Sequence, residues 1–133
     1  MSRPSSTESL ELTPAEMTAR TGTTIDTLRY YERENLIVNV ARADSGHRRY
    51  DADDVGWVEV LRCLRLSGMT IEQLRAFSAL AQQGRHTERE RLQLLDEHRA
   101  TVQDRIVELA QAMTVIDHKI DIYRAALAEK EGL

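Results

Sequence analysis

Residues 24–32 read Thr24-Ile25-Asp26-Thr27-Leu28-Arg29-Tyr30-Tyr31-Glu32, TIDTLRYYE. Thr24 is a residue type that accepts a hydrogen bond from the first free amides of a helix. Ile25, Leu28 and Glu32 then follow at helical spacing, which predicts a helix from Thr24 to about Glu34. Upstream, Gly22 suits the left-handed residue that closes a helix, and Thr13-Pro14-Ala15-Glu16 has the form of a capping box with proline at the first helical position. Leu12 and Met17 stand where a hydrophobic staple belongs. Two short helices joined by a glycine turn make a helix-turn-helix.

Downstream of this pair the pattern changes. LIVNVAR (residues 36–42) is apolar and β-branched, Asp44-Ser45-Gly46 forms turns, and HRRY (residues 47–50) follows, so a β-hairpin wing is expected. Asp51 with Asp54 opens a third helix carrying Val55, Val58, Leu61 and Leu64 to about Ser67, and Gly68 stops it. Met69-Thr70-Ile71-Glu72-Gln73-Leu74 is a second box and staple, opening a fourth helix through Phe77 and Leu80; a further box is read at Thr87 to Glu90.

Beyond Glu88 the apolar residues adopt a heptad spacing. Leu92, Ile106, Met113, Ile120 and Leu127 share one position, and Leu95, Val102, Leu109, Ile116 and Tyr123 share the other. Arg99 alone breaks the seam. A helix over 92–127 extends on the order of 54 Å at 1.5 Å per residue, more than the upstream domain can cover, so this face is expected to bury itself against a second copy. The fold class is therefore mainly α: a winged helix-turn-helix domain with a small β-hairpin wing, followed by a long dimerising coiled-coil helix. The expected boundaries fall at a flexible tail over 1–10, the winged helix-turn-helix domain over 11–84 and the coiled-coil helix over 85–133.

Composition narrows the function. With 41% hydrophobic residues and no apolar run near the roughly 18 that a membrane span needs, no membrane partner is expected. The serine- and threonine-rich start lacks an apolar signal core, which gives a cytoplasmic expectation. A single cysteine, Cys63, excludes a disulfide framework or a multi-cysteine zinc site, and neither metal nor cofactor is expected. No phosphate loop, metal triad or nucleophile elbow is present, which argues against an enzyme. The net charge of −4 speaks mildly against nucleic acid, but Arg42, Arg48 and Arg49 cluster locally, and arginine suits bidentate phosphate and base-edge contacts.

In a helix-turn-helix the start of the second helix enters the major groove and a wing reaches the flanking backbone. With Ile25 and Leu28 inward, Thr27 and Tyr30 face outward and Arg29 sits on the flank. Thr24 and its neighbouring amides suit a phosphate oxygen. Arg42, His47, Arg48, Arg49 and Tyr50 line the hairpin. The DNA-contacting set is thus Thr24, Thr27, Arg29, Tyr30, Tyr31, Arg42, His47, Arg48, Arg49 and Tyr50, although Tyr31 and Tyr50 also suit a core whose edge holds the hydroxyl.

The joint order of TLRYYE (27–32), Leu36-Ile37, GHRRY (46–50) and SGMTIEQL (67–74) resembles the MerR family of bacterial transcription regulators over about residues 11–130. The resemblance implies an antiparallel coiled-coil homodimer that binds a pseudo-palindrome in double-stranded promoter DNA. It also implies a bent and untwisted spacer presented to RNA polymerase holoenzyme. The chain departs from the family at Asn39-Val40-Ala41-Arg42, where a proline usually precedes the wing arginine. Metal-responsive members use cysteines after the dimerisation helix, and this chain has none after Cys63; drug-sensing members append a large effector domain, which is not expected here. Cys63, ahead of the Gly68-Met69 turn and flanked by Arg62 and Arg65, resembles the branch that answers thiol-reactive electrophiles in a stress response. A small core residue is the competing reading.

Overall fold

The structure is a computed structural model, and it describes residues 11–38 and 40–132. The expected tail over 1–10, and Asn39 in the first wing segment, lie outside the described residues. Among the described residues five helices and one hairpin follow in order: α1 (Pro14–Thr21), α2 (Ile25–Arg33), β1 (Ala41–Arg42), β2 (Arg48–Arg49), α3 (Ala52–Leu66), α4 (Ile71–Gln83), a 3-10 turn over Arg85–Thr87, and α5 (Glu88–Lys130).

Local sequence sets most of these boundaries. Thr13 accepts from the Glu16 amide at 3.2 Å while the Glu16 carboxylate accepts from the Thr13 amide at 3.1 Å, so two orphan donors of α1 are satisfied reciprocally. Hydrogen bonding by Thr13 also holds the Glu16 carboxyl below its ordinary range. Gly22, at φ 74°, closes α1 in the left-handed region. The boxes at Asp51/Asp54 and Thr70/Gln73 form as expected. The one at Thr87 does not. Its hydroxyl instead donates to the carbonyls of Leu80 and Gly84 and accepts from Arg91, which ties the 3-10 turn to α4.

The first wing segment also differs from expectation. Only Ala41–Arg42 pairs with Arg48–Arg49, antiparallel, and the turn closes with the Gly46 amide on the Ala43 carbonyl at 2.8 Å. Leu36 and Ile37 belong to no strand. Asn35, in the left-handed region at φ 59°, turns the chain back so that the Leu36 amide reaches the Tyr31 carbonyl and both side chains enter the core. Their apolar character, and the β-branch of Ile37, reflect burial, which a strand and a buried turn reward alike. A separate antiparallel bridge joins Leu12 to Tyr50 and anchors the hairpin base beside the start of α1.

The core gathers Met17, Leu28, Tyr31, Leu36, Ile37, Tyr50, Val58, Leu61, Met69, Leu74 and Phe77 from all four short helices and the wing. Trp57 stacks on Phe77, with ring centroids 5.6 Å apart, and donates its indole N–H to the Leu36 carbonyl at 2.7 Å. Leu94 and Leu95, early in α5, pack against this core. The chain divides into two compact units, one reaching Leu95 and the other from Asp96 onward. Along the whole of α5 no described side chain is buried. Among the described residues no helix is long and apolar enough to cross a membrane.

Candidate nucleic-acid interface

At the entry of α2 the Thr24 hydroxyl accepts from the Thr27 amide at 3.1 Å and donates to the Thr27 hydroxyl at 2.8 Å. Accepting that proton leaves the Thr27 hydroxyl its own hydrogen to give outward. The helix therefore begins with a satisfied cap, a free-rotating donor and first-turn amides whose dipoles favour an anion. Thr24 and Arg29 are exposed, and Thr27 and Tyr30 are half-buried. These four make the outward edge of α2.

Tyr31 and Tyr50 do not join that edge. They are 4% and 2% exposed and sit in the core, the packing role that was the other expectation for them. Burial raises both phenols above their ordinary value, and for Tyr31 the neighbouring Arg65 and Arg62 offset part of the rise. A bulky aromatic ring that leaves the α2 surface at this position has the core as its only apolar destination.

The wing carries the cations. His47 and Arg42 are exposed, and Arg48 and Arg49 are half-buried. Two of them are already engaged: Arg42 pairs with Glu32 at 3.0 Å, and Arg48 pairs with the other oxygen of the same carboxylate. Arg42 also donates to the Gly46 carbonyl, and Arg49 to the carbonyl of Arg48. Glu32 thus fixes the wing to the last turn of α2, a role that spacing along the sequence did not reveal. The structure brings together Thr24, Thr27, Arg29 and Tyr30 on one element and Arg42, His47, Arg48 and Arg49 on the next.

Further ties hold the far end of α2. Arg75 on α4 pairs with Glu34, and the Gln82 side chain donates to the Asn35 carbonyl at 2.7 Å. From α3, the Arg62 guanidinium lies against the α1–α2 turn, 3.5 Å from where a Cβ on Gly22 would stand. Arg65 donates to the Met69 carbonyl at 3.1 Å. Both arginines are directed at backbone features of neighbouring segments. Cys63 between them is exposed, so the small-core-residue reading of it is not what the structure shows. No local motif announces Glu32, Arg62 or Arg75, because their partners are distant in sequence.

The expected seam residues of α5 are all accessible: Leu92, Ile106, Leu109, Met113, Ile116, Ile120, Tyr123 and Leu127 are exposed, and Leu95 and Val102 half-buried. Tyr123 has the Lys119 ammonium 5.0 Å from its ring centroid.

Comparison with known proteins gives a consistent picture. Residues 12–79 match the model of the MerR HTH family regulatory protein, and residues 55–119 that of MerR, DNA binding. An uncharacterised HTH-type transcriptional regulator of Haemophilus influenzae is 32% identical over 116 residues, covering 87% of this chain and 86% of its own. The regulator AdhR of Bacillus subtilis is 41% identical over 85 residues, 64% of this chain and 61% of its own length. In three dimensions the chain is similar to HiNmlR, a MerR family regulator lacking the sensor domain and crystallised bound to promoter DNA. That match has a TM-score of 0.82 at 31% identity and covers 89% of this chain and 94% of that one. A putative MerR family regulator from Listeria monocytogenes gives 0.81 at 36% identity, covering 90% and 91%.

Proposed function

This chain belongs to the MerR family of DNA-binding transcriptional regulators, which are not enzymes, and from that premise we propose that it binds a promoter pseudo-palindrome as a homodimer and distorts the spacer between the polymerase elements. RNA polymerase holoenzyme is then its working partner. The observation that carries the reading is the clamp at Glu32, which makes the outward edge of α2 and the cationic wing a single preset surface. A preset surface of this kind lets two copies load strain onto the DNA between them instead of losing it in a loose wing. The similarity to a promoter-bound relative supports the same reading.

The test is a salt titration of promoter binding with Arg48→Ala and Arg49→Ala. A DNA regulator loses affinity by about 1–3 kcal/mol per contact, and its salt slope shrinks by about one for each lost phosphate contact. Unchanged slopes for both variants would favour the alternative, a coiled-coil interaction protein without DNA binding. Spacer distortion is read separately, by permanganate or hydroxyl-radical footprinting of the spacer.

A second reading concerns the signal. We propose that a thiol-reactive electrophile modifies Cys63, and its exposure on α3 supports this because a reagent needs access to the sulfur. Transcription in vitro with and without an aldehyde, comparing wild type with Cys63→Ser, tests it. Equal induction of both proteins rules the thiol out.

A further inference from the structure

We infer that Asp26 selects a base: its carboxylate accepts a hydrogen bond from the exocyclic amino group of a cytosine in the major groove, at one position of each operator half-site. This rests on the reading of α2 as the helix that enters the groove, and adds to it the base that its first turn prefers. Leu28 and Tyr31, 1% and 4% exposed, mark the inward side of α2. At 3.6 residues per turn, Asp26 and Arg33 both fall within about 10° of the opposite direction, and both are exposed. Asp26 is therefore the first-turn side chain aimed most directly away from the core. In helix-turn-helix proteins the N-terminal residues of the second helix are the ones that meet base edges.

Three carboxylates lie between Thr24 and Glu34, and they differ in what holds them. Glu32 pairs with Arg42 and Arg48, and Glu34 pairs with Arg75. Asp26 belongs to none of the ion pairs among the described residues. Nor does the helix need it as a cap, because Thr24 already takes the Thr27 amide at 3.1 Å. A carboxylate brought up to DNA is repelled by the phosphates unless it finds a donor. Arg29 and Arg33 are exposed beside it and likewise outside those ion pairs, so their positive charge offsets the repulsion.

The chemistry of the group then chooses among four bases. A carboxylate accepts hydrogen bonds and does not donate them. In the major groove guanine and thymine offer it only acceptors, adenine sets its N7 acceptor beside its amino donor, and cytosine offers a donor with no acceptor next to it. Cytosine is the base that costs the carboxylate least and returns the most. Residues three apart on a helix in the groove address successive bases, as in zinc fingers, which leaves the neighbouring base pair to Arg29.

The test is selection by the full chain from double-stranded DNA carrying a randomised stretch, repeated with Asp26→Asn and Asp26→Ala. The wild type is expected to enrich a palindrome with one cytosine per half-site whose exchange for any other base weakens binding on the order of tenfold in anisotropy titrations. Asparagine matches the N6 and N7 of adenine, so Asp26→Asn should turn that position, and no other, to adenine. Asp26→Ala should accept all four bases there alike. A new preference for adenine is a gain, which a misfolded chain cannot produce. If both variants bind all DNA more tightly and still select the wild-type sequence, Asp26 is only a brake on binding and the inference is overturned. A cytosine preference that survives Asp26→Ala at every position overturns it equally. A wild-type chain that enriches no sequence would remove the DNA reading itself, and this inference with it.

Discussion

Arg48 of the wing donates to the carboxylate of Glu32 on α2, sixteen residues earlier in the chain, and Arg42 takes the other oxygen of that group. One negative charge therefore holds two cations and joins the two elements that present donors outward. The groups are only partly buried, so the pairing contributes more to orientation than to stability.

Glu32→Gln should separate those roles. It keeps the shape but releases two guanidinium groups from a carboxylate, so binding to random DNA tightens and its salt slope steepens. Promoter binding gains less, because the wing loses its fixed geometry. The ratio of specific to random affinity, measured by anisotropy at two salt concentrations, is expected to fall. A ratio that rises would show that the clamp opposes recognition.

Trp57→Phe keeps an aromatic ring against Phe77 but deletes the donor to the Leu36 carbonyl, 2.7 Å away. Leaving that carbonyl without its donor costs about 1–3 kcal/mol. Leu36→Ala, which empties a fully buried site, should cost about 2–5 kcal/mol. Urea unfolding followed by circular dichroism measures both, and the order of the two losses is the sharper check.

Alkaline pH should weaken the winged domain through Tyr31 and Tyr50. Burial raises both phenols above the ordinary 10.0, so the folded state holds protons that the unfolded chain has released. Their contribution is fully present below pH 10.0 and is lost as pH rises through the folded values. Tyr31→Phe should flatten the fall of the urea midpoint above that pH. An unchanged slope in Tyr31→Phe with Tyr50→Phe would assign the alkaline loss elsewhere.

Cys63 is exposed in the folded chain, so its reaction with a maleimide or a disulfide reagent should run at a rate of the same order as in urea. Strong protection that vanishes on unfolding would contradict this exposure. The measurement is stopped-flow absorbance with a chromogenic disulfide.

Gly22→Ala tests the inter-helix turn. A methyl there would meet Arg62 at ordinary contact distance, so the cost comes from the left-handed backbone at φ 74° and is about 1–2 kcal/mol. Arg62→Ala should leave that cost unchanged if no steric conflict exists.

The helix starts at Thr13, Thr24, Asp51 and Thr70 were legible because each is a contract between residues three apart. Leu36 and Ile37 were misread because an apolar pair looks the same in a strand and in a buried turn. The turn is decided by Asn35 and by Trp57, which lies 21 residues beyond Leu36. Thr87 was misread because its hydroxyl answers carbonyls brought by α4 and not the amides that follow it. The solvent access of Thr24, Thr27, Arg29 and Tyr30 was readable from helical geometry. The placement of Tyr31 and Tyr50 in the core, and of Glu32 between two arginines, depends on tertiary packing that no short window contains.

Residues 32–36 are a junction: Glu32 takes the wing, Glu34 takes Arg75, the Asn35 carbonyl takes Gln82 and the Leu36 carbonyl takes Trp57. For transplanting DNA specificity this sets a seam line. A foreign recognition segment exchanged over 24–30 keeps all four attachments and inherits the host's wing posture, whereas a graft extended past Tyr31 carries off the fittings by which three other elements grip the helix. Hybrid regulators cut before Glu32 are the ones expected to retain a working scaffold under a new vocabulary of bases.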